Sequence, residues 1–397
     1  MSLKSHLLLL CLCLASALTA QTTYDFSAYD QFLQSEVTDN QIAGAVSLIY
    51  KDGQPIHNKT YGFADKEEEV PMTEDQVFHI MSMTKPIVTL AAMLLWEEGH
   101  FKLDDPVSQY LDGFTDLTVT KDPATGKDGA TVPAEGTITI RQAMTHTAGF
   151  SHGLSGTKLD NDFAMAMYYM PQQDIASRVK TMTTFPLVAQ PGTKWSYSAS
   201  PDILALLIEK FSGMTAAEFL QQRLFDPLGM DHTGYNLDAE KAARMAKLYK
   251  IVDGKLVRDP YQMGATGNTV FGGTHGLLST APDYAKFCLM LLNNGTHNGK
   301  QIIKAETLQL MTSNHLGDTP YQPGQGFGLG FGVLLETPDN GIGSKGQHFW
   351  SGAYSTFFFV APEKNMISIL MTQRSPYTNK YGEAMWKHVY EAVNAKR

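Results

Sequence analysis

The chain has 397 residues, of which 43% are hydrophobic and 18% are charged, a composition typical of a globular protein with a large core. Its formal net charge of -9 argues against a nucleic-acid-binding protein, because such proteins present basic patches to the phosphate backbone. The length permits two subdomains.

Residues 1–20 are predicted to be an export signal. Lys4 gives a basic start, Leu7 to Leu14 form a short apolar core, and small residues follow, with Ala17 and Ala20 as the alternative cleavage positions. An uncleaved anchor is the alternative, although the apolar run is short for a bilayer. We therefore expect an exported protein, periplasmic or secreted, with no stable membrane span.

Cysteine usage excludes an internal disulfide in the mature chain. Cys11 and Cys13 lie within the predicted signal, so that only Cys288 remains after cleavage. A chain of this size can fold without a disulfide because its core is large enough.

The first elements after the signal are a helix and a β-hairpin. Apolar residues recur at helical spacing between Phe26 and Val37. Residues 43–63 predict a hairpin, because two β-rich runs flank a turn at Lys51 to Gly53. From Ser82 onward a nearly all-apolar run predicts a buried helix that stops near Gly99.

Helices dominate the middle of the chain and strands return near its end. The run 120–136 is rich in Gly, Pro, Asp and Thr and predicts a long surface loop. Helices are predicted at 140–145, 201–211 and 215–225, strands at 354–360 and 366–372, and a closing helix from about Ala384. The predicted fold is α/β, with residues 21–100 and 245–397 forming one discontinuous subdomain and residues 101–244 an inserted, mainly helical subdomain.

Three Ser-x-x-Lys pairs compete as a catalytic pair, namely Ser82 with Lys85, Ser155 with Lys158, and Ser177 with Lys180. Residues three apart on a helix share a face, so a lysine amine can reach the serine hydroxyl. Burial lowers the pKa of a lysine and favours its neutral, basic form. Ser82 and Lys85 are predicted to be the catalytic pair because their flanks are apolar. The second pair lies in a loop rich in Gly, Ser and Thr, and the third lies on a polar helix.

A rival nucleophile signature, G-x-S-x-G, occurs at Gly149 to Gly153 (GFSHG). In lipases this pattern forms a sharp turn between a strand and a helix. Here a helical segment precedes it and a loop follows, so Ser151 is not predicted to be the nucleophile, and His152 loses its candidate role with it.

The histidines do not predict a metal site. His146, His152, His275 and His348 lack the spacing of metal ligands and are interpreted as local hydrogen-bonding residues. No metal or organic cofactor is implied.

Several stretches together resemble the serine β-lactamase and penicillin-binding-protein superfamily, specifically its class C branch and the family VIII carboxylesterases. They occur in the family's order and extend over nearly all of the mature chain. The stretches are YGFAD at Tyr61, HIMSMTK at His79, TIRQAMTHTAGF at Thr139, PGTKWSYSASPDIL at Pro191, PLGMDHT at Pro227, GGTHGLLSTAPDYAKF at Gly272 and HFWSGAYSTFFFVAPE at His348. The resemblance implies a β-lactamase-like fold, an antiparallel sheet flanked by helices.

The resemblance also implies a set of site residues. Ser82 would be the nucleophile, Lys85 its partner, and Tyr197 the general base, kept anionic or sharing a proton with Lys85. The backbone N–H groups of Ser82 and Ala353 would form the oxyanion hole. The family's third motif, Lys-Thr-Gly, is replaced here by a substrate-contacting Trp350-Ser351-Gly352.

Two departures from the β-lactamase pattern point to esters. Ala199 replaces the asparagine that supports β-lactam binding, and Trp350 replaces the lysine that contacts the substrate carboxylate. The family VIII esterases similarly lack the asparagine and carry a G-x-S-x-G that is not the nucleophile. Gly272, Gly273 and Ser279 are expected to shape and support the pocket backbone.

The predicted function is that of an exported serine hydrolase that forms an acyl-enzyme on Ser82 and acts on short-chain carboxylic esters. Its partner would be a small-molecule ester or amide substrate. One alternative is a class C-type β-lactamase or D-amino-acid peptidase. A second alternative, from another class, is a non-catalytic cell-wall-binding homologue. The sequence carries no signal for acyl-chain preference or oligomeric state.

Overall fold

The computed structural model describes residues 24–395, so the predicted export signal lies outside the described residues. The α-helices are α1 Ser27–Thr38, α2 Thr84–Glu97, α3 Ile140–Met144, α4 Lys158–Ala164, α5 Ile175–Met182, α6 Pro201–Ser212, α7 Ala216–Leu220, α8 Asp226–Leu228, α9 Ala239–Ala243, α10 Ala281–Leu292, α11 Ala305–Met311 and α12 Lys380–Asn394. The 3-10 helices are Met81–Met83, Val107–Gln109, Pro123–Thr125 and Pro362–Lys364, and π-helical turns follow α4 and α7 at Met165–Tyr169 and Gln221–Phe225.

The strands are β1 Gly44–Lys51, β2 Gln54–Asp65, β3 Val70–Pro71, β4 Phe78–His79, β5 Thr118–Thr120, β6 Thr131–Pro133, β7 Tyr249–Val252, β8 Lys255–Arg258, β9 Leu278–Ser279, β10 Thr296–His297, β11 Lys300–Gln301, β12 Gln325–Phe327, β13 Gly332–Leu334, β14 His348–Gly352, β15 Thr356–Ala361, β16 Met366–Thr372 and β17 Arg374–Ser375.

The main sheet joins the two ends of the chain. It has eight strands in the order β12-β13-β14-β15-β16-β1-β2-β3, and every neighbouring pair is antiparallel. The N-terminal hairpin therefore meets the C-terminal strands at the β1–β16 pair, where Ala45 lies opposite Thr372. The predicted β-lactamase-like fold, an antiparallel sheet flanked by helices, is confirmed.

Helices cover both faces of this sheet. On one face α1 and α12 pack against an apolar cluster that includes Tyr29, Leu33, Phe359 and Tyr390. On the other face α2 and α10 belong to the larger core, and α10 packs against β15, β16 and β1. Every residue of α2 from Thr84 to Leu95 is buried, which is why this helix shows no polar face in the sequence.

Local sequence signals locate several elements as predicted. The hairpin, α1, α2 and the strands near the C-terminus all form, and Thr215 and Glu218 make the expected capping box at the start of α7. The division into subdomains at residues 101 and 244 stays a prediction.

The prediction of a long loop over residues 120–136 is wrong in part. Thr118–Thr120 and Thr131–Pro133 pair as the short antiparallel strands β5 and β6. The N–H of Thr120 also donates to Leu187 O at 2.9 Å, so distant partners stabilise a segment whose Gly and Pro content is typical of a loop.

Candidate active site

Ser82 lies at the start of a buried helix. Met81 just before it has a positive φ of 47°, and the 3-10 turn Met81–Met83 leads directly into α2. The Ser82 N–H is not engaged in any backbone hydrogen bond of the turns and loops within residues 24–395. N–H groups at a helix start lack intrahelical partners, so this one is available to an oxyanion.

Lys85, one turn further along, has three acceptors around its amine. Its Nζ lies 3.1 Å from Ser82 Oγ, 2.9 Å from Thr274 O and 3.5 Å from His152 Nε2. The side chain is 1% exposed, and burial lowers the lysine pKa to about 7, while the carboxylate of Asp202 acts in the opposite direction. A substantial fraction of Lys85 is therefore neutral near pH 7.

Tyr197 completes this cluster on the other side of the amine. Lys85 Nζ lies 4.6 Å from the centroid of the Tyr197 ring. Burial raises the pKa of the phenol, and this rise is opposed by interactions with Ser82 and Trp350. The phenol is accordingly protonated at neutral pH, which favours proton sharing over a stable phenolate.

The loop that carries Tyr197 is held by His146. Ser196 N–H donates to the backbone carbonyl of His146 at 2.9 Å, and Ser198 N–H donates to the ring Nδ1 at 3.2 Å. Because Nδ1 accepts this bond, the neutral imidazole carries its proton on Nε2. Burial and the nearby Lys85 lower the pKa of His146, consistent with a neutral ring.

His152 stacks beneath Tyr197 and contacts Lys85. The two rings are 4.6 Å apart and inclined by 10°. Burial, Lys85 and His146 together lower the pKa of His152 well below its ordinary value, so the ring is neutral and its Nε2 can accept a hydrogen bond from Lys85. No sequence motif predicts this contact between His152 and Lys85.

Gly273 sets the position of Thr274, whose backbone carbonyl oxygen is the second acceptor for the Lys85 amine. A Cβ atom on Gly273 would lie 2.0 Å from Pro201 O, so only glycine allows this approach. Thr274 N–H then donates to Asp202 Oδ1 at 2.8 Å, while Thr274 O accepts from Lys85. Asp202 and Thr274 are further site residues that sequence reasoning does not single out, although both lie within the family-like stretches at Pro191 and Gly272.

Ser279 supports the same region and, among the described residues, makes no side-chain hydrogen bond to Ser82, Lys85 or Tyr197. Its hydroxyl lies 2.7 Å from that of Thr233, and strand β9 pairs with β4 just before Ser82.

Strand β14 forms the opposite wall. Gly352 packs directly against the segment before Ser82, since a Cβ there would lie 2.4 Å from Ile80 O. The N–H of Ala353, just beyond the strand, takes no part in the backbone hydrogen bonds of turns and loops in the described part of the chain. Two unused N–H groups are therefore carried by adjacent segments.

Trp350 on β14 contributes an aromatic surface. Its ring lies 5.6 Å from that of Tyr197 and 5.3 Å from that of Phe327. Ser351 points its hydroxyl to within 3.2 Å of Tyr377 OH, and both Trp350 and Ser351 border a cavity of about 750 Å³. The Trp350 ring therefore borders a cavity of mixed lining, in which Phe349 and Trp386 lie beside Glu383 and Lys387.

The competing serines have other partners. Ser151 is 4% exposed, donates to the carboxylate of Asp160 and accepts from Gly153 N–H at 2.9 Å. No strand precedes it and no helix begins at it, in contrast to a lipase-type turn.

The other two Ser-x-x-Lys pairs do not meet. Lys158 Nζ binds Asp162 at 2.8 Å, and Ser155 is exposed. Ser177 forms a capping box with Asp174 at the start of α5.

Among residues 24–395, no group of three or more His, Cys, Asp and Glu side chains is arranged to hold a metal ion. Within the same range, no helix has the length and apolar character needed to cross a bilayer.

Comparison with known proteins places this geometry in context. The profile of the β-lactamase family matches residues 29–393. Protein Rv1367c of Mycobacterium tuberculosis is 30% identical, over 84% of this chain and 86% of that protein. Lovastatin esterase of Penicillium rubens is 29% identical, over 86% of this chain and 91% of that protein. The solved structure of EstCE1, described as a hydrolase with promiscuous acyltransferase activity, is 24% identical with a TM-score of 0.75, covering 92% of this chain and 98% of its own.

Proposed function

The chain belongs to the β-lactamase family and is a serine hydrolase, and we propose that it hydrolyses short-chain carboxylic esters through an acyl-enzyme on Ser82. The observation that carries the proposal is the 3.1 Å contact between Lys85 Nζ and Ser82 Oγ, made by a lysine whose pKa burial lowers to about 7.

The partners of Lys85 orient its lone pair. Neutral Lys85 has two N–H groups, and Thr274 O and neutral His152 Nε2 are acceptors for both of them. The remaining lone pair then points to the Ser82 hydroxyl. The amine can accept the Ser82 proton as Oγ attacks the ester carbonyl, so the three contacts together favour the reactive form.

Tyr197 shares this proton and returns it. The phenol interacts with Ser82 and lies beside Lys85, so a proton taken from Ser82 can pass through the pair to the oxygen of the leaving alcohol. The C–O bond of the ester breaks and the acyl group remains on Ser82. A water molecule then attacks the acyl-enzyme and gives its proton to the same pair, which passes it to Ser82 Oγ as the bond between Oγ and the acyl carbon breaks and the carboxylic acid leaves.

The N–H groups of Ser82 and Ala353 would bind the oxyanion that forms in each tetrahedral intermediate. They lie on adjacent segments that Gly352 brings together. Backbone donors fixed in this way stabilise charge that appears only in the transition state.

The wall around Trp350 supports esters with an uncharged group on that side. An aromatic side chain there offers apolar contact, whereas a lysine would offer a charge-assisted partner for a β-lactam carboxylate. The similarity to lovastatin esterase points the same way. The alternative, a β-lactamase or D-amino-acid peptidase, would use the same Ser82 chemistry on an amide. Export to the periplasm or outside the cell is part of the proposal.

The substrate class is tested by comparing hydrolysis of a short p-nitrophenyl ester with that of a chromogenic cephalosporin, with Ser82→Ala as the blank. We expect rapid ester turnover and negligible cephalosporin turnover. Comparable or faster cephalosporin hydrolysis would contradict the ester assignment and favour a β-lactamase. Absence of both activities in the wild-type protein, together with no labelling of Ser82 by a fluorophosphonate, would favour the non-catalytic binding protein.

A further inference from the structure

A second cavity, of about 250 Å³, lies beside the catalytic cluster but contains none of the proposed catalytic side chains. It is bordered by Arg178 on α5, by His79 and His275, and by the loop that includes Asn268 and Thr269. His275 directly follows Thr274, whose carbonyl accepts from Lys85, so the cavity adjoins the Lys85 side of the site.

Arg178 is the unusual residue of this cavity. It is 8% exposed, yet its guanidinium donates no hydrogen bond to any group within the described chain, and its Nε is buried without a partner. The nearest carboxylate oxygen, Asp202 Oδ2, is 3.8 Å from Nη1 and itself accepts no hydrogen bond. The guanidinium carbon Cζ lies 5.8 Å from the Tyr168 ring centroid.

Such an arginine is poorly satisfied by the protein alone. A guanidinium has five N–H donors in a planar fork, and its burial is costly unless those donors are used. Asp202 supplies charge compensation, but at 3.8 Å it supplies no hydrogen bond. The fork geometry matches the oxygens of a carboxylate or a phosphate.

The lining of the cavity favours an anion over a cation or an apolar group. Arg178 is its charged side chain, and none of the residues bordering the cavity within the described range is acidic. Gly264 and Gly267 leave room in the loop that covers it, and Thr269 is exposed at its edge.

We propose that this cavity binds an oxyanion group, of carboxylate or phosphate chemistry, through the guanidinium of Arg178. The group has two possible sources, a free small anion or the far end of the substrate's own acyl chain. The proposal does not depend on the ester reaction, because anion binding can be measured without turnover. It also does not conflict with Trp350, which forms the wall on the β14 side.

Direct binding is measured first, by calorimetry and thermal shift with inorganic phosphate and with glutarate. For a free anion we expect binding to the wild-type protein and an affinity lower by roughly 10- to 100-fold in Arg178→Gln, the loss expected for a charge-assisted hydrogen bond.

A matched pair at the cavity edge keeps the test valid if Arg178→Gln fails to fold. Thr269 is exposed and makes no side-chain hydrogen bond within residues 24–395, so its replacement should not disturb the fold. Thr269→Glu places a negative charge beside the cavity and should weaken anion binding, whereas Thr269→Gln should not. Equal affinities in these two variants would count against a site at this position.

The second source is tested with two esters of equal chain length, the mono-p-nitrophenyl ester of adipic acid and p-nitrophenyl hexanoate. If the substrate carries the anion, the carboxylate ester should have the higher kcat/KM, and Thr269→Glu should remove that preference while Thr269→Gln retains it. Absence of both anion binding and carboxylate preference would overturn the proposal, leaving Arg178 as a structural partner of Asp202. Inactivity toward both esters would instead count against the proposed function, and the binding measurement would then decide the anion site alone.

Discussion

Ser82 and Ser151 are both buried serines within sequence signatures of nucleophiles, but their neighbours differ in charge. Ser82 faces the amine of Lys85, whose pKa burial lowers to about 7, whereas the Ser151 hydroxyl donates a hydrogen bond to the carboxylate of Asp160. A base that can take a proton and return it suits catalysis. The carboxylate of Asp160 already accepts the hydrogen of the Ser151 hydroxyl, and the same hydroxyl accepts a hydrogen bond from Gly153 N–H. These two bonds suit a serine that stabilises its loop. The identity of the partner therefore separates the two serines better than either motif does.

The largest expected effect comes from removing each hydroxyl in turn. Ser82→Ala should reduce kcat for a p-nitrophenyl ester by roughly five orders of magnitude or more, as in other enzymes that lose their nucleophile. Ser151→Ala should leave kcat near the wild-type value. The reverse pattern would revive the lipase-type assignment for GFSHG.

The next effect sharpens the role of the groups around Ser82. Tyr197→Phe keeps the ring that stacks on His152 but removes the phenol, and kcat should fall by about 10²- to 10⁴-fold, the usual contribution of a positioned acid or base. Steady-state kinetics on the same ester measure this. A loss below about tenfold would show that Lys85 or water moves the proton without the phenol.

The hydrogen bonds of Asp160 lead to a prediction about stability and not about catalysis. Asp160 accepts from Ser151 and from Ser155 N–H at 3.0 Å, so Asp160→Asn should lower the free energy of unfolding by about 1.5–3 kcal/mol, as for other hydrogen bonds to charged groups. Denaturant unfolding measures this loss. The pH dependence of kcat/KM should be unchanged in this variant, and a shifted profile would contradict a purely structural role.

The smallest effect is a pH shift at Lys85. Protonated Lys85 cannot accept the Ser82 proton, so kcat/KM should rise with pH through about 7. Asp202 raises the pKa of Lys85, and therefore Asp202→Asn should move this rise to lower pH while its amide oxygen can still accept from Thr274 N–H. The pH–rate profiles of the two proteins provide the measurement. A shift to higher pH would contradict the assigned direction.

Local signals made much of the fold predictable. The turn at Asp52–Gly53, the apolar run of α2 and the Thr215 capping box each depend on neighbouring residues, and each forms where expected. Local sequence does not predict the short strands β5 and β6, because their stabilising contacts include the distant Leu187.

The candidate site likewise contains one contact that local sequence predicts and others that join distant parts of the chain. The Ser82–Lys85 contact follows from helical spacing, so it was accessible to sequence reasoning. The two other acceptors around Lys85 were not, because His152 is 67 residues away in the chain and Thr274 is 189 residues away. The motif GFSHG does not indicate the role of His152, because the same short stretch directs Ser151 to Asp160 and His152 to Lys85. The catalytic roles of Ser82, Lys85, Tyr197, Ala353 and the Trp350 segment all stay predictions.

The most direct test of the central claim is peptide mapping after treatment with a fluorophosphonate, which reacts with activated serines. The account predicts that the label is found on Ser82 alone, that its rate rises with pH through about 7, and that Ser82→Ala abolishes it. A label on Ser151, or an unlabelled protein that still hydrolyses esters, would contradict the account.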